Sequence, residues 1–119
     1  MQKPIEKRSG GTWLWQALTG FLVIILLGLH MVAQHFIAPQ GLRGYDEVLA
    51  WFRTPAIAVL ELIFLAVVVY HALLGLRAII ADLNLGKAVT DGINAVLTVL
   101  GVIAVLYGVF LTYVLLTKA

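Results

Sequence analysis

Three histidines are the side chains of this 119-residue sequence best suited to chemistry. His30 and His71 lie within long apolar stretches, whereas His35 lies towards the end of one. A histidine inside a membrane can bind a haem iron, relay protons or only hydrogen-bond a neighbouring helix. The residues alone leave these three roles open. Cysteine is absent, so disulfides, thiolate catalysis and cysteine-bound iron–sulfur clusters are excluded for this chain.

The apolar stretches that must position these histidines predict an all-α membrane protein. Hydrophobic residues make up 62% of the sequence and charged residues 12%, which is too apolar for a soluble domain of this size. Charges are absent over residues 9–42 and 92–117, and the apolar stretch over 54–76 is interrupted only by Glu61. Each stretch is long enough to cross a bilayer as a helix. We expect a single transmembrane anchor domain over residues 1–119, with spans at about 12–36, 56–82 and 91–117.

The basic residues predict how the chain is oriented in the membrane. With three spans, one side carries Lys3, Lys7, Arg8, Arg77 and Lys87, and the other carries Arg43, Arg53 and Lys118. Because basic loops stay in the cytoplasm, we expect an inner (cytoplasmic) membrane protein whose N-terminus is cytoplasmic. The net charge is +2, and the basic residues do not form a run. We therefore expect membrane lipid around the chain and no nucleic-acid partner.

Helical spacing places most polar residues of the first span on one stripe. At about 100° per residue, the positions within about 40° of His30 are Thr12, Gln16, Thr19 and Gln34. Lipid would not solvate such a stripe, so we expect it to face protein. His35 lies on a different face, about 140° away and closer to the membrane surface.

The second and third spans also have distinct faces. Gly75, Ala78 and Asp82 lie within about 40° of His71, and a glycine one turn after the histidine leaves room for a flat, bulky group. The third span carries a seam of small and weakly polar residues that is typical of close helix packing. We interpret this seam as structural; its members are Asn94, Thr98, Gly101, Gly108 and Thr112.

The segment YHALLGLRAIIAD, residues 70–82, carries the pattern His71-x3-Gly75-x-Arg77-x4-Asp82. This pattern resembles the haem-ligand helix of succinate dehydrogenase membrane-anchor subunits. The segments QALTG, residues 16–20, and HMVAQHF, residues 30–36, resemble the first helix of the same family. The resemblance covers nearly the whole chain, and its most specific part is the second-span pattern.

The resemblance implies a fold and a haem site. Three helices would form half of a two-subunit anchor bundle, with His71 as an axial ligand of haem b and Gly75 packed against it. Arg77 would lie near the haem propionates, together with Lys87. One imidazole fills one axial position, so a second anchor subunit would supply the other ligand. His30, rather than His35, would be the iron ligand of a second haem, if the complex holds one; the alternative is that His30 only hydrogen-bonds a neighbouring helix.

The resemblance also implies a quinone site, with ubiquinone or menaquinone as substrate. Gln16 and Asp82 are the expected quinone contacts, although Asp82 could equally be a helix-end aspartate paired with Lys87 or Arg77. The family often has arginine where this chain has Ala17, and some of its anchors have tyrosine where this chain has Leu83. These departures predict fewer quinone contacts from this chain than from its sister subunit.

The expected function is therefore that of an anchor and electron-transfer subunit, not catalytic by itself. It would sit with the iron–sulfur and flavoprotein subunits of a succinate dehydrogenase or fumarate reductase, respiratory complex II. Succinate oxidation needs a flavin and iron–sulfur clusters, which this chain cannot hold. The alternative is a non-redox membrane subunit, such as a small transporter or an assembly component, whose histidines pack or relay protons.

Overall fold

The computed structural model describes residues 10–38 and 41–118. The elements in chain order are α1 (Gly10–Met31), a π-helical segment (Val32–Phe36), α2 (Tyr45–Phe52), α3 (Pro55–Asp82) and α4 (Lys87–Thr117). Three helical stretches are long and apolar enough to cross a membrane: Gly10–Phe36, Pro55–Asp82 and Lys87–Thr117. No strand occurs in these residues. The predicted all-α architecture with three spans is confirmed.

The helix boundaries follow from local sequence. Pro55 opens α3, where its missing N–H and fixed φ suit the first turn. In the turn between α3 and α4, Asn84 has a φ of 53°, a left-handed conformation that asparagine tolerates well. Gly86 then caps α4, and its carbonyl accepts the Thr90 N–H at 2.9 Å. Helix α4 therefore begins at Lys87, four residues before the predicted start of the span.

At the other end of the molecule, Arg43 holds the connection between the first span and α3 in place. Its guanidinium donates to the Ala33 carbonyl at 3.0 Å and lies 4.0 Å from the centre of the Trp51 ring. Arg53 in turn donates to the Lys118 carbonyl at 3.2 Å, so α4 ends on this side. We call this side, with α2, the loop end, and the side with residues 83–86 the turn end.

Helix α3 is the centre of a three-helix layer. It packs against α1 on one side and α4 on the other, while α1 and α4 do not touch each other within the described residues. The seam on α4 faces α3, as predicted: a β-carbon at Gly101 would lie 2.7 Å from Leu73, and one at Gly108 would collide with Leu65. Close approach of α3 and α4 therefore depends on these two glycines.

The layer buries few side chains. Within the described residues the buried apolar ones are Leu26, Ala38 and Ala58, and most large apolar side chains remain exposed. A membrane accommodates such a surface, because lipid or a second membrane subunit covers it. Lipid or another membrane protein must therefore cover most of the apolar surface of this chain.

Candidate functional site

His71, in the middle of α3, makes its polar contact with α1. Its Nδ1 atom lies 3.0 Å from the hydroxyl oxygen of Thr19. That oxygen also lies 2.7 Å from the Trp15 carbonyl and 3.1 Å from the Gln16 carbonyl. Thr19 is only 8% exposed, and with Thr112 it is one of two buried polar residues in the described chain.

The hydrogen bonds of Thr19 are compatible with a proton on Nδ1 of His71. The one hydroxyl hydrogen of Thr19 can go to a carbonyl of α1 or to Nδ1. When it goes to a carbonyl, the Thr19 oxygen accepts from the imidazole, and the proton lies on Nδ1. No described residue hydrogen-bonds to the other nitrogen, Nε2. In that tautomer the lone pair of Nε2 is free to bind a ligand or a metal.

Two glycines provide the space around this imidazole. A β-carbon at Gly20 would lie only 3.1 Å from Cε1 of His71, so glycine lets the ring approach α1 and reach Thr19. A β-carbon at Gly75, one turn along α3, would meet nothing within 4 Å. The ring is thus held against α1, and there is open space at Gly75, one turn further along α3.

This arrangement fits a haem iron better than a bare metal ion. The described residues contain no group of three or more histidine, cysteine or acidic side chains that could hold an ion. A haem already supplies four nitrogens and needs only axial ligands from protein. A histidine whose Nδ1–H is hydrogen-bonded is oriented to give Nε2 to a metal.

His30 makes a second polar contact between α1 and α3. Its Nδ1 lies 2.9 and 3.0 Å from the two carboxylate oxygens of Glu61. The amide of Gln34 donates to the same carboxylate at 3.5 Å, and the Phe64 ring lies 5.3 Å from the imidazole, centre to centre. Three members of the polar stripe, Thr19, His30 and Gln34, therefore contact α3, in agreement with the prediction that the stripe faces protein.

The two histidine contacts lie at different depths of the same helix pair. His30 follows Thr19 by 11 residues on α1, and Glu61 precedes His71 by 10 residues on α3. At 1.5 Å per residue, this separates the contacts by about 16 Å along the helix axes. His71 lies nearer the turn end and His30 nearer the loop end.

The third histidine is not part of this interface. His35 belongs to the π-helical segment, and its Nδ1 lies 3.2 Å from the carbonyl oxygen of Gly41. This contact is local and exposed, at the loop end. Of the two histidines near this end, only His30 faces a neighbouring transmembrane helix.

The structure separates the other predicted site residues. Arg77 donates to the hydroxyl of Thr98 and so lies on the α4 side of α3, away from the α1 side where His71 contacts Thr19. Asp82 is exposed at the last position of α3, and no ion pair joins it to Arg77 or Lys87 within the described residues. Gln16 is half-buried on α1, and the helix rise places it about 12 Å from the level of Asp82.

Glu61 was not among the site residues predicted from the sequence. It is the only charge that interrupts the second apolar stretch. An isolated carboxylate in a membrane span indicates a functional or paired group. Its partner depends on how α1 and α3 are aligned. Spacing within one helix cannot supply that alignment.

Known proteins similar to this chain show the family to which it belongs. A family described as succinate dehydrogenase/fumarate reductase transmembrane subunit matches residues 6–114. The succinate dehydrogenase hydrophobic membrane anchor subunit of Archaeoglobus fulgidus is 35% identical over 101 residues, which cover 85% of this chain and 86% of that protein. The anchor subunit of Thermoplasma acidophilum is 29% identical over 81% of this chain and 78% of its own length. That of Halobacterium salinarum is 34% identical, with 82% and 77% covered. Since the family match spans most of the sequence, the chain belongs to the succinate dehydrogenase/fumarate reductase transmembrane subunit family.

Proposed function

We propose that this membrane-anchor subunit binds haem b through His71 and carries electrons between succinate and quinone as part of respiratory complex II. The contact between Thr19 and His71 carries the proposal, because it holds the imidazole by Nδ1 and leaves Nε2 without a partner among the described residues. Membership in the family favours this role over that of a small transporter. When bound, the haem supplies a one-electron carrier within the membrane.

The protein residues around the haem have separate tasks. His71 would hold the haem iron through Nε2, and a second anchor subunit would supply a further ligand. A β-carbon at Gly75 would meet nothing within 4 Å, so there is room for a bulky group at this position of α3. Arg77 bonds the Thr98 hydroxyl on the α4 side of α3, so its guanidinium would have to turn away from Thr98 to reach a propionate of this haem. Lys87 adds a second positive charge at the turn end.

The quinone site in this proposal lies towards the turn end. The Gln16 amide can donate a hydrogen bond to a quinone carbonyl, while the exposed carboxylate of Asp82 can exchange protons with water. The turn end would be cytoplasmic, where the iron–sulfur and flavoprotein subunits dock and deliver electrons. The N-terminus shares that side in an inner-membrane protein.

The proposal extends to a second, distal haem b at the loop end, with His30 as its ligand in this chain. His30 faces α3, and its Nε2 has no hydrogen-bond partner among the described residues. His35 is held locally by Gly41 and lies outside the helix interface. The exposed apolar side chains form a broad surface on which a second anchor would dock and supply the remaining ligands.

The experiment that tests this function is a haem-to-flavin ratio on the purified complex, combined with a reduced-minus-oxidised visible spectrum. We expect about two low-spin haems per flavin, with at least one reduced by succinate, and about one per flavin in the His30→Ala variant. A complex that retains its flavin and iron–sulfur clusters but contains no haem would contradict the proposal.

The quinone assignment predicts the effect of Asp82→Asn. Loss of the carboxylate should lower the rate of succinate-driven quinone reduction several-fold and weaken the binding of quinone-site inhibitors. The haem spectrum should be unchanged, because Asp82 lies about three turns from His71. Asp91→Asn is the matched control, since Asp91 is another exposed acid in the first turns of α4. If the rate of quinone reduction in Asp82→Asn equals that in Asp91→Asn, Asp82 is not part of the quinone site.

A further inference from the structure

Glu61 is a charged residue in an apolar span that the haem and quinone assignments leave unexplained. We propose that it is a positioning residue: its carboxylate holds His30 by Nδ1, so that Nε2 is presented to the distal haem and the potential of that haem is lowered. The inference rests on the proposed function, in which His30 binds that haem.

The first support is the burial and pairing of the carboxylate. The side chain of Glu61 is 12% exposed, and the helix that carries it has no other acidic residue until Asp82. A carboxylate at such a position is costly unless it is hydrogen-bonded. Glu61 accepts a hydrogen bond from the His30 imidazole, with both carboxylate oxygens within 3.0 Å of Nδ1.

The second support is the direction that this pair gives to the imidazole. An ionised carboxylate only accepts hydrogen bonds, so the imidazole donates from Nδ1 and keeps its lone pair on Nε2. The His30 side chain remains 33% exposed, so the chain itself does not enclose the ring. The Phe64 ring, tilted by 42° at 5.3 Å, packs against the imidazole and limits its rotation. A carboxylate–histidine pair of this kind is a common way of orienting a metal ligand.

The third support is the comparison with His71. Both imidazoles are held by Nδ1, but the acceptor at His71 is the neutral hydroxyl of Thr19, whereas the acceptor at His30 is a carboxylate. A carboxylate makes the imidazole a stronger electron donor and places a negative charge near the iron. Both effects stabilise ferric over ferrous haem. Glu61 should therefore lower the potential of the distal haem. The potential of the haem at His71 should not depend directly on Glu61.

The test uses the intact complex carrying Glu61→Gln, which keeps a hydrogen-bond acceptor but removes the charge. We expect the haem-to-flavin ratio to be retained. A redox titration should show the distal haem potential raised, with the ferric form destabilised about tenfold relative to the ferrous form, or about 59 mV for a one-electron couple. The potential of the haem at His71 should not change.

Two further variants separate positioning from a general structural role. Glu61→Leu removes the acceptor, and the distal haem should be lost, because a missing partner of this kind lowers metal affinity by about 10- to 100-fold. Gln34→Leu is the control, since it removes a polar neighbour of Glu61 at 3.5 Å but leaves the imidazole held. It should retain both haems and their potentials.

The possible failures can be distinguished. If the parent complex holds two haems and both Glu61 variants keep them with unchanged potentials, Glu61 does not position His30. The assignment of the distal haem would still be supported in that case. If the parent complex holds one haem and His30→Ala leaves it in place, the assignment of a distal haem to His30 is wrong. The proposed role of Glu61 is then wrong as well.

Discussion

Replacing His71 with alanine should remove one low-spin haem b from the assembled complex. The side chain that supplies Nε2 is gone, and the hydroxyl of Thr19 lies on the Nδ1 side. We expect the haem-to-flavin ratio to fall by about one, with loss of the bis-histidine signal in electron paramagnetic resonance spectra. Electron flow from succinate to an artificial acceptor at the flavin should persist.

His35→Ala is the control for this experiment. It deletes an imidazole from the same chain, but His35 bonds only the nearby Gly41 carbonyl at the loop end. The haem ratio and the spectra should therefore match those of the parent complex. An intact haem signal in His71→Ala, or an equal loss in both variants, would contradict the assignment of His71.

Gly20→Val should have an effect nearly as large without touching a ligand. The β-carbon alone would lie 3.1 Å from Cε1 of His71, and valine adds two methyl groups on a rigid helix backbone. The imidazole would have to swing away from Thr19, or α1 would have to move from α3, at a cost of about 1–3 kcal/mol. We expect at least a twofold loss of haem and a lower melting temperature of the complex.

Gly28→Val tests whether any enlarged glycine on α1 has this effect. A β-carbon at Gly28 meets nothing within 4 Å in this chain. Haem content should therefore be preserved in Gly28→Val. Normal haem content and stability in Gly20→Val would show that the close approach at His71 is dispensable. A matching defect in Gly28→Val would show that the effect does not come from the imidazole.

The sequence predicted the spans well because bilayer thickness and backbone hydrogen bonding leave few choices. Long apolar stretches in a membrane are expected to be helices, and three helices long and apolar enough to cross a membrane occur in the described residues. Helical spacing also predicted that the polar stripe around His30 faces protein. That inference needs only the 100° turn per residue and the cost of polar groups in lipid.

The polar partners could not be predicted in the same way. That Thr19 meets His71, and that Glu61 meets His30, depends on the antiparallel alignment of α1 and α3. Residues in different helices have no fixed relation until packing sets that alignment. The π-helical segment at Val32–Phe36 was also beyond prediction, since its residues differ little from those of an α-helix.

Whether His71 binds haem b can be tested by chemical rescue of a ligand-deleted variant. The reduced-minus-oxidised spectrum of the His71→Gly complex is recorded with and without added imidazole. We expect the bis-histidine haem signal to be lost in the variant and restored by imidazole, which enters the space left by the side chain. A full haem signal in His71→Gly without imidazole would show that His71 is not the ligand.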